Sequence, residues 1–391
     1  MKVRVAYVCA DAGIPVFGQK GCSIHVQEVI RGLKGQGGQV TLFATRIGGE
    51  LPRDLADVVV HQLPPVPKLE RGMREQVALG MNPDLRLTLE KSAPFDLVYE
   101  RYSLWSYGAM EFAQDMGVPG LLEVNSPLIL EQAQHRGLID RDGAEVVARR
   151  VFSAATALIA VSEAVKSYLM NYVDESKIHV IPNGVNPRRF SNLPSVSQSD
   201  GFTVGFVGSL KPWHGLPILT DAFSLLHQRV PQAKLLIVGD GPERENLEAE
   251  LAARGLDIYT QFTGAVNPEA VPQLLAAMNV AVAPYAAQSD FYFSPLKVYE
   301  YMAAGLPVVV SQIGQLTDLI EHGVNGMLCP PGDTIALAET LEILWRSPNL
   351  RHNLGKAARN TVITHHTWDA IAHQILHIAG LDSPLPMEVK S

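Results

Sequence analysis

The chain has few cysteines, few charged residues and no long apolar segment. Its three cysteines, Cys9, Cys22 and Cys329, lie far apart and form no Cys-x-x-Cys pair. This excludes a disulfide framework and a zinc ribbon, and it favours a reducing compartment. No stretch approaches the roughly 18 apolar residues that a membrane-spanning helix needs. The short apolar start of the chain predicts a buried strand rather than a secretion signal, so we expect a cytoplasmic protein.

An excess of positive charge is also absent. Lys and Arg number 32 against 40 Asp and Glu, a formal net charge of -8, which argues against nucleic acid as a partner. Hydrophobic residues make up 47% of the 391 residues, enough to bury large cores. A chain of this length and composition corresponds to two or three folded domains.

Short apolar runs alternate with longer helical patterns along the whole chain. Most of the runs are continuous rather than alternating, which is typical of strands covered on both faces. A polar, Ser-rich interval at 187–201 predicts a linker, with six runs on either side of it. The runs are Val3–Ala10, Val40–Ala44, Asp96–Glu100, Gly120–Val124, Ala157–Val161, Ile178–Ile181, Thr203–Gly208, Lys234–Gly239, Ile258–Gly264, Val280–Pro284, Pro307–Ser311 and Gly326–Cys329. The sequence predicts an α/β protein with two doubly wound parallel-sheet domains facing a cleft.

One segment of the second half predicts a phosphate site. Ser294 and Pro295 are a helix-start signal, as N-cap and first-turn residue, and a Gly-x-Pro stop follows, so we expect a helix over about 295–304. The free N–H groups at its start attract anions. Lys297 lies in the first turn, with Glu300 on the same face three residues later. This order suits a phosphate followed by ribose hydroxyls; the alternative is a solvated i,i+3 ion pair.

Two loops contain further candidate residues. The loop after the first strand contains Lys20 and Gly21 and opens a helix, so its backbone N–H groups are expected near a phosphate. It is neither a Walker A motif nor a Gly-x-Gly-x-x-Gly fingerprint. His25 in that helix is expected to be a packing or capping residue. The loop at 207–215 follows a strand and would face the cleft; the alternative is an ordinary surface loop with a packed Trp.

Four motifs occur in a fixed order and carry a family resemblance. They are Ile181-Pro182-Asn183-Gly184-Val185-Asn186, Val238-Gly239-Asp240-Gly241-Pro242, Phe262-Thr263-Gly264-Ala265-Val266 and Glu300-Tyr301-Met302-Ala303-Ala304-Gly305-Leu306-Pro307-Val308-Val309. Together with the glycine-containing loop after the first strand, they resemble the family-four (group 1) retaining glycosyltransferases, which have the GT-B fold. The resemblance covers nearly the whole chain.

The resemblance implies a domain arrangement and an activity. Residues 1–190, joined by a final helix at about 365–380, would bind the acceptor, and residues 201–364 the donor. The implied reaction moves a sugar from a UDP- or GDP-sugar to an acceptor hydroxyl, with retention of configuration, in polysaccharide or glycolipid synthesis. No metal and no cofactor are expected, because cationic side chains and a helix end would hold the donor phosphates.

The resemblance also assigns donor-binding residues. Glu300 matches the second glutamate of the family's E-x7-E motif, which binds the ribose, and Gly21 matches the loop glycine near the donor phosphates. The backbone around Gly264 and Val266 would lie near the base. Together with the helix start and the two loops described above, the candidate donor-binding set is Lys20, Gly21, Gly208, Ser209, His214, Gly239, Gly264, Val266, Tyr292, Phe293, Ser294, Pro295, Leu296 and Glu300.

Several positions depart from the family pattern. The first glutamate of E-x7-E falls on Tyr292, the usual Arg on Ser209 and the usual Lys on His214. We therefore expect Lys211 and Lys297 to be catalytic, as replacements for the two cations that neutralise the leaving diphosphate.

The acceptor side is less clearly marked. Glu123 and Asn125 occupy the region where the family often has a His, and they are the catalytic candidates there. The acceptor would be a sugar or a lipid-linked molecule. Arginines 136, 141, 149 and 150 allow a weak peripheral membrane contact, although neighbouring acids favour a solvated helix face. The Asp140-Arg141-Asp142 motif is expected to be a surface turn.

Two other functions remain open. An epimerase or hydrolase on the same fold would need a positioned acid or base, for which Glu123 is the candidate. A non-catalytic protein that binds a sugar nucleotide would explain the missing Arg and Lys.

Overall fold

A computed structural model describes residues 2–191, 193, 201–288 and 291–381. Most of the predicted linker, residues 192 and 194–200, therefore lies outside the described residues. The chain divides into two compact units. Of the described residues, the first unit takes those in Met1–Gly18, Cys22–Pro182 and Trp368–Ser391, and the second takes those in Gln19–Gly21 and Asn183–Thr367.

The first unit is built on a parallel sheet of seven strands in the order β3-β2-β1-β4-β5-β6-β7. The strands are β1 (Arg4–Cys9), β2 (Gln39–Ala44), β3 (Val59–Gln62), β4 (Leu97–Arg101), β5 (Gly120–Val124), β6 (Ala157–Ala160) and β7 (Ile178–Val180). The helices between them are α1 (Gly21–Gly35), α2 (Arg71–Gly80), α3 (Asn82–Ser92), α4 (Gly108–Met116), α5 (Leu128–Glu131), α6 (Arg141–Ala154) and α7 (Glu163–Leu169). Helix α1 buries Val26, Val29, Ile30 and Leu33, because these residues share one helical face.

The expectation of six strands in the first half was wrong by one. Strand β3 pairs with β2 at the edge of the sheet, and its residues are exposed or half-buried. Its sequence, Val59-Val60-His61-Gln62, is short and half polar, so it lacks the continuous apolar run that marks a strand covered on both faces. Its one ring contact stacks His61 on Phe43 of β2, with ring centroids 5.0 Å apart.

The second unit is built on a parallel sheet of six strands in the order β10-β9-β8-β11-β12-β13. The strands are β8 (Phe202–Val207), β9 (Ala233–Val238), β10 (Thr260–Phe262), β11 (Val280–Ala283), β12 (Val308–Ser311) and β13 (Met327–Cys329). All six were predicted. The helices are α8 (Leu216–Arg229), α9 (Arg244–Ala253), α10 (Val271–Ala276), α11 (Leu296–Ala303), α12 (Leu316–Leu319), α13 (Thr334–Arg346) and α14 (Pro348–His365).

The change from the first unit to the second falls between Pro182 and Asn183, earlier than residue 190. The N–H of Asn183 donates to Ser294 Oγ at 3.0 Å, and the N–H of Val185 donates to the carbonyl of His366 at 2.8 Å. These bonds tie the segment to the second unit. The last described helix, α15 (Trp368–Ile378), belongs to the first unit.

Each sheet has one point at which the strand order reverses direction. In the first sheet it lies between β1 and β4, and in the second between β8 and β11. In open parallel sheets, ligands bind outside the carboxyl ends of the strands at this switch point. Among the described helices, none combines the length and apolarity that a membrane span requires.

Candidate functional site

Glycines line the carboxyl edge of the second sheet. Gly208 follows β8 with φ +144°, and Gly239 follows β9 with φ +136°. Gly239 also forms an antiparallel bridge with Gly264, which follows β10. A Cβ atom on Gly239 would lie 2.0 Å from the carbonyl oxygen of Gly208, so only glycine fits there. The structure therefore brings three predicted donor residues together along one edge of bare backbone.

This close approach gives a stability prediction. Gly239→Ala is expected to destabilise the second unit by about 2–4 kcal/mol, because it combines an unfavourable φ with a clash against backbone. Gly255 is the matched control: its φ is +67° but nothing lies near an added Cβ. Gly255→Ala should therefore cost only about 1 kcal/mol. Urea unfolding measures the loss in stability of each variant. Equal losses for Gly239→Ala and Gly255→Ala would contradict the close approach of Gly239 to the Gly208 carbonyl.

Lys297 lies at the switch point of the second sheet. Its side chain projects from α11, and its Nζ is buried with no hydrogen-bond partner among the described residues. The Nζ lies 4.1 Å from the ring centroid of Phe206 and 5.8 Å from that of Tyr285. A Cβ on Gly208 would be 3.0 Å from it. Burial lowers the pKa of Lys297 to about 7, because its charged form has no anionic partner here to offset the lost hydration.

The solvated pair between Lys297 and Glu300 does not form. Glu300 instead accepts a hydrogen bond from Arg189 Nη1 at 2.7 Å, while Arg189 Nη2 donates to the carbonyl of Pro268 at 2.7 Å. Sequence reasoning missed Arg189, which lies 111 residues from Glu300. The half-buried carboxylate of Glu300 is thus held in place by one cation, and the nearby Lys297 stays unpaired.

His214 does not supply the missing positive charge. Its Nδ1 lies 2.5 Å from the carbonyl oxygen of Ser209, so Nδ1 carries the hydrogen and donates. Burial, followed by the charge of Lys297, lowers the pKa of His214 to about 3. The imidazole is therefore neutral at pH 7. Lys211, which also lowers this pKa, is half-buried with its Nζ 5.7 Å from the ring centroid of Trp213.

The prediction that Ser294 caps α11 was wrong. The helix begins at Leu296 with Pro295 as its N-cap, and no side chain caps it. Ser294 lies too far before the first turn, and its Oγ instead accepts from the Asn183 N–H.

The remaining predicted donor residues lie in different surroundings. The rings of Tyr292 and Phe293 are tilted against each other with centroids 4.4 Å apart. Val266 packs against the core of the second unit. Lys20 and Gly21 are exposed and are grouped with the second unit.

In the first unit, Glu123 near the end of β5 accepts hydrogen bonds from three side chains and lies close to a fourth, His25. It accepts from Tyr99 Oη at 2.5 Å, from Arg101 Nη1 at 3.0 Å and from Asn125 Nδ2. His25 Nε2 lies 2.7 Å from it. Burial alone would raise the pKa of Glu123, but His25, Arg101 and Tyr99 outweigh it and hold the pKa at about 2.

The predicted catalytic role of Glu123 stays a prediction, and the geometry shows which side chains this carboxylate holds. An ionised carboxylate whose lone pairs are used holds its neighbours and does not exchange protons near neutral pH. Asn125 is turned toward Glu123, and His25 packs edge-on against Trp368, with ring centroids 5.0 Å apart. Sequence reasoning missed Arg101, although a charged residue at the end of a buried strand was a usable signal.

The arginine group of the first unit is largely engaged. Arg150 pairs with Glu111 at 2.8 Å and Arg136 with Glu131 at 2.8 Å. Asp140 does not lie in a simple surface turn: it is the N-cap of α6 and accepts from a backbone N–H of the first helical turn. Within the described ranges, no group of three or more His, Cys, Asp and Glu side chains could hold a metal ion.

Known proteins resemble this chain over both units. A model described as Glycosyltransferase Family 4 matches residues 20–189, and one described as Glycosyl transferases group 1 matches residues 201–347. A phosphatidyl-myo-inositol mannosyltransferase of Mycobacterium leprae is 32% identical over 56% of this chain and 58% of that enzyme. A D-inositol 3-phosphate glycosyltransferase of Jonesia denitrificans is 26% identical over 96% of this chain and 95% of that enzyme.

A solved structure shows the same fold. The Anabaena protein HepE in complex with UDP and glucose superposes with a TM-score of 0.74 at 21% identity, covering 97% of this chain and 99% of that one. The two Rossmann-like units predicted from the sequence are therefore those of a GT-B fold.

Proposed function

Because the chain belongs to the group 1, family-four glycosyltransferases, we propose that it transfers a sugar from a nucleoside-diphosphate sugar to an acceptor hydroxyl with retention of configuration. The observation that carries the proposal is the buried Nζ of Lys297 beside Gly208, which has no hydrogen-bond partner among the described residues. A buried cation without a partner is costly, and a diphosphate would supply the missing negative charge. HepE, of the same fold, binds UDP and glucose, which supports a UDP-sugar as the donor.

The donor is proposed to lie along the glycine edge of the second unit. Its diphosphate would be held by Lys297, by the nearby Lys211 and by the free N–H groups at the start of α11. Glu300, fixed by Arg189, would accept hydrogen bonds from the ribose hydroxyls. Because His214 is neutral, the two lysines replace the charge of the absent Arg and Lys.

Catalysis would depend on charge placed before the reaction begins. As the anomeric C–O bond breaks, the sugar becomes oxocarbenium-like and negative charge grows on the departing phosphate. A fixed cation at that oxygen lowers the barrier, and one such group contributes about a hundredfold or more in rate. The acceptor oxygen would attack from the face that the phosphate leaves, and the departing phosphate would take the acceptor proton. No side-chain base is needed for this route.

The acid–base chemistry of Glu123 weighs against an epimerase or hydrolase. A general acid or base works best with a pKa near the operating pH, whereas that of Glu123 is held at about 2. The proposed acceptor is a sugar or lipid-linked hydroxyl. The names of two relatives contain phosphatidyl-myo-inositol and D-inositol 3-phosphate, which supports a polyol hydroxyl as the nucleophile.

The test is calorimetric binding of UDP, GDP and ADP in buffer with EDTA, at pH 6.5 and 8.5. One nucleotide should bind, and its affinity should fall by about tenfold at the higher pH, because a Lys297 of pKa about 7 must take up a proton to pair with phosphate. Lys234→Met, which removes an exposed lysine of β9, is the control and should behave as wild type. Absence of nucleotide binding, or a pH-independent affinity, would contradict the proposed donor site.

Turnover separates transfer from simple binding. With the matching nucleotide sugar, slow release of the nucleoside diphosphate without acceptor is expected, since transferases hydrolyse part of their donor. Binding without any turnover, across a panel of donors and acceptors, would favour the non-catalytic alternative.

A further inference from the structure

The switch point of the first sheet also holds a cation. Arg101 is the last residue of β4, next to β1 on one side and β5 on the other. It lies opposite Glu123 in the register between β4 and β5, and its pKa responds to the neighbouring Tyr7 and Cys9 of β1. Arg101 is therefore placed at the carboxyl edge where parallel sheets bind ligands.

One edge of this guanidinium is free. The hydrogen bond that Arg101 donates within the described part of the chain runs from Nη1 to Glu123. The residue is 9% exposed, and none of its nitrogens is among the buried atoms that lack a partner, so the remaining N–H groups keep a small exposed surface. Arg150 differs: its Nε and Nη2 both donate to Glu111. In Arg101 that same Nε–Nη2 edge, whose two N–H groups match two oxygens of an oxyanion, has no partner among the described residues.

The guanidinium is also held firmly. Glu123, which accepts its hydrogen bond, is held in turn by Tyr99, His25 and Asn125. Tyr7 adds a second unused group, because its Oη is buried without a hydrogen-bond partner and its ring lies 5.4 Å from that of Tyr99. A cation fixed in this way, with one edge that donates no hydrogen bond to the described residues, binds an anion at a low cost in ordering entropy.

We propose that the Nε–Nη2 edge of Arg101 binds a phosphate group of the acceptor, so that the acceptor is a phosphorylated polyol or sugar. The proposal rests on the proposed function, because it names the acceptor class of that reaction. Arg101 would fix the acceptor in one orientation, and Glu123 would act as a positioning residue through Arg101. A free phosphate and the phosphate of a lipid headgroup present the same oxygens to this edge, and the vesicle arm of the test distinguishes the two sources.

The test uses myo-inositol 3-phosphate as the probe and myo-inositol as its uncharged counterpart. Each is titrated calorimetrically into protein saturated with the nucleotide that binds, and in parallel into Lys297→Met protein, in which the donor phosphate site is removed. The phosphorylated probe is expected to bind at least tenfold more tightly than myo-inositol. Binding to phosphatidylinositol vesicles is measured in parallel, with phosphatidylcholine vesicles as the control. If the protein binds phosphatidylinositol vesicles but not myo-inositol 3-phosphate, the phosphate it recognises belongs to a lipid headgroup.

Three variants locate the effect. Arg101→Lys keeps the charge beside Glu123 but removes the Nε–Nη2 edge. It should lower the affinity for myo-inositol 3-phosphate at least tenfold. The double change Arg101→Gln with Glu123→Gln removes the ion pair without leaving a buried charge, and it should cause a similar loss. Arg150→Lys is the matched control and should bind as wild type. The melting temperature of each variant shows that it is folded.

The outcomes for donor and acceptor are separate. Equal binding of both probes, or undiminished phosphate binding by Arg101→Lys, overturns the acceptor proposal even if the nucleotide binds well. Failure of every nucleotide to bind overturns the proposed function, while the Lys297→Met titration still tests Arg101.

Discussion

Replacing Lys297 by methionine is expected to lower transferase activity by about a hundredfold to a thousandfold, and at the same time to stabilise the ligand-free protein. Both effects come from one feature, a buried ammonium with no anionic partner. Methionine keeps the length and apolar stem of the lysine but cannot pair with the departing phosphate. The rate loss is measured as nucleoside diphosphate release at saturating acceptor, and the stability gain as melting temperature without ligand.

The sign of the stability effect follows from the pKa of Lys297. Its folded value is about 7, below the value of about 10.4 for an unfolded lysine. Between these values the unfolded chain binds more protons, so the wild type gains stability as the pH rises from about 7 toward 10. The methionine variant lacks this dependence. The gain in stability of the methionine variant over the wild type should therefore be largest below pH 7 and should shrink as the pH rises from about 7 toward 10.

The loss of activity and the gain in stability expected for Lys297→Met can each be checked against a control variant. Lys234→Met also removes a lysine of the second unit, but this side chain is exposed, and neither activity nor melting temperature should change appreciably. A Lys297→Met protein that is less stable than the wild type at pH 7 would mean that the ammonium is paired in the ligand-free protein. Retained activity would mean that Lys211 alone neutralises the diphosphate.

The sequence predicted the fold well because the parallel strands are marked locally. Twelve apolar runs, most of them continuous, correspond to twelve of the described strands, and the short, half-polar edge strand β3 was not predicted. The helix start at Ser294 was misplaced because that hydroxyl is used by Asn183, which is distant along the chain. Local sequence patterns therefore predicted the strands and helices, whereas hydrogen bonds to distant residues determined where some of them begin.

The site was predicted only in part for the same physical reason. The glycines after β8, β9 and β10 and the position of Lys297 follow from motifs, since they are fixed relative to strand and helix ends. The burial of Lys297 depends on Phe206, which the fold brings to it from another strand. The pairing of Glu123 with Arg101 depends on the register of β4 and β5. Such contacts are set by packing between elements, which spacing along the chain does not encode.

Truncation of Glu123 is expected to be the most destabilising change in the first unit. Glu123→Ala would leave Arg101 as a buried cation and would remove the acceptor used by Tyr99 and Asn125, so we expect a loss of about 3–5 kcal/mol. Glu123→Gln keeps an acceptor oxygen and should lose less. Glu90, a half-exposed glutamate paired with Arg86 on the surface, is the control, and Glu90→Ala should change stability by no more than about 0.5 kcal/mol.

The pH dependence of this loss distinguishes a charge effect from a packing effect. The folded pKa of Glu123 is about 2, below the value of about 4.3 for an unfolded glutamate, so its contribution is complete above about pH 4.3 and is lost as the pH falls toward 2. The free energies of unfolding of the wild type and Glu123→Ala, measured with urea, should therefore differ most near pH 7. This difference should become smaller as the pH falls. A gap that stays constant from pH 7 to pH 3 would show that the carboxylate matters for its volume, and Arg101 would then need no counter-ion to stay buried.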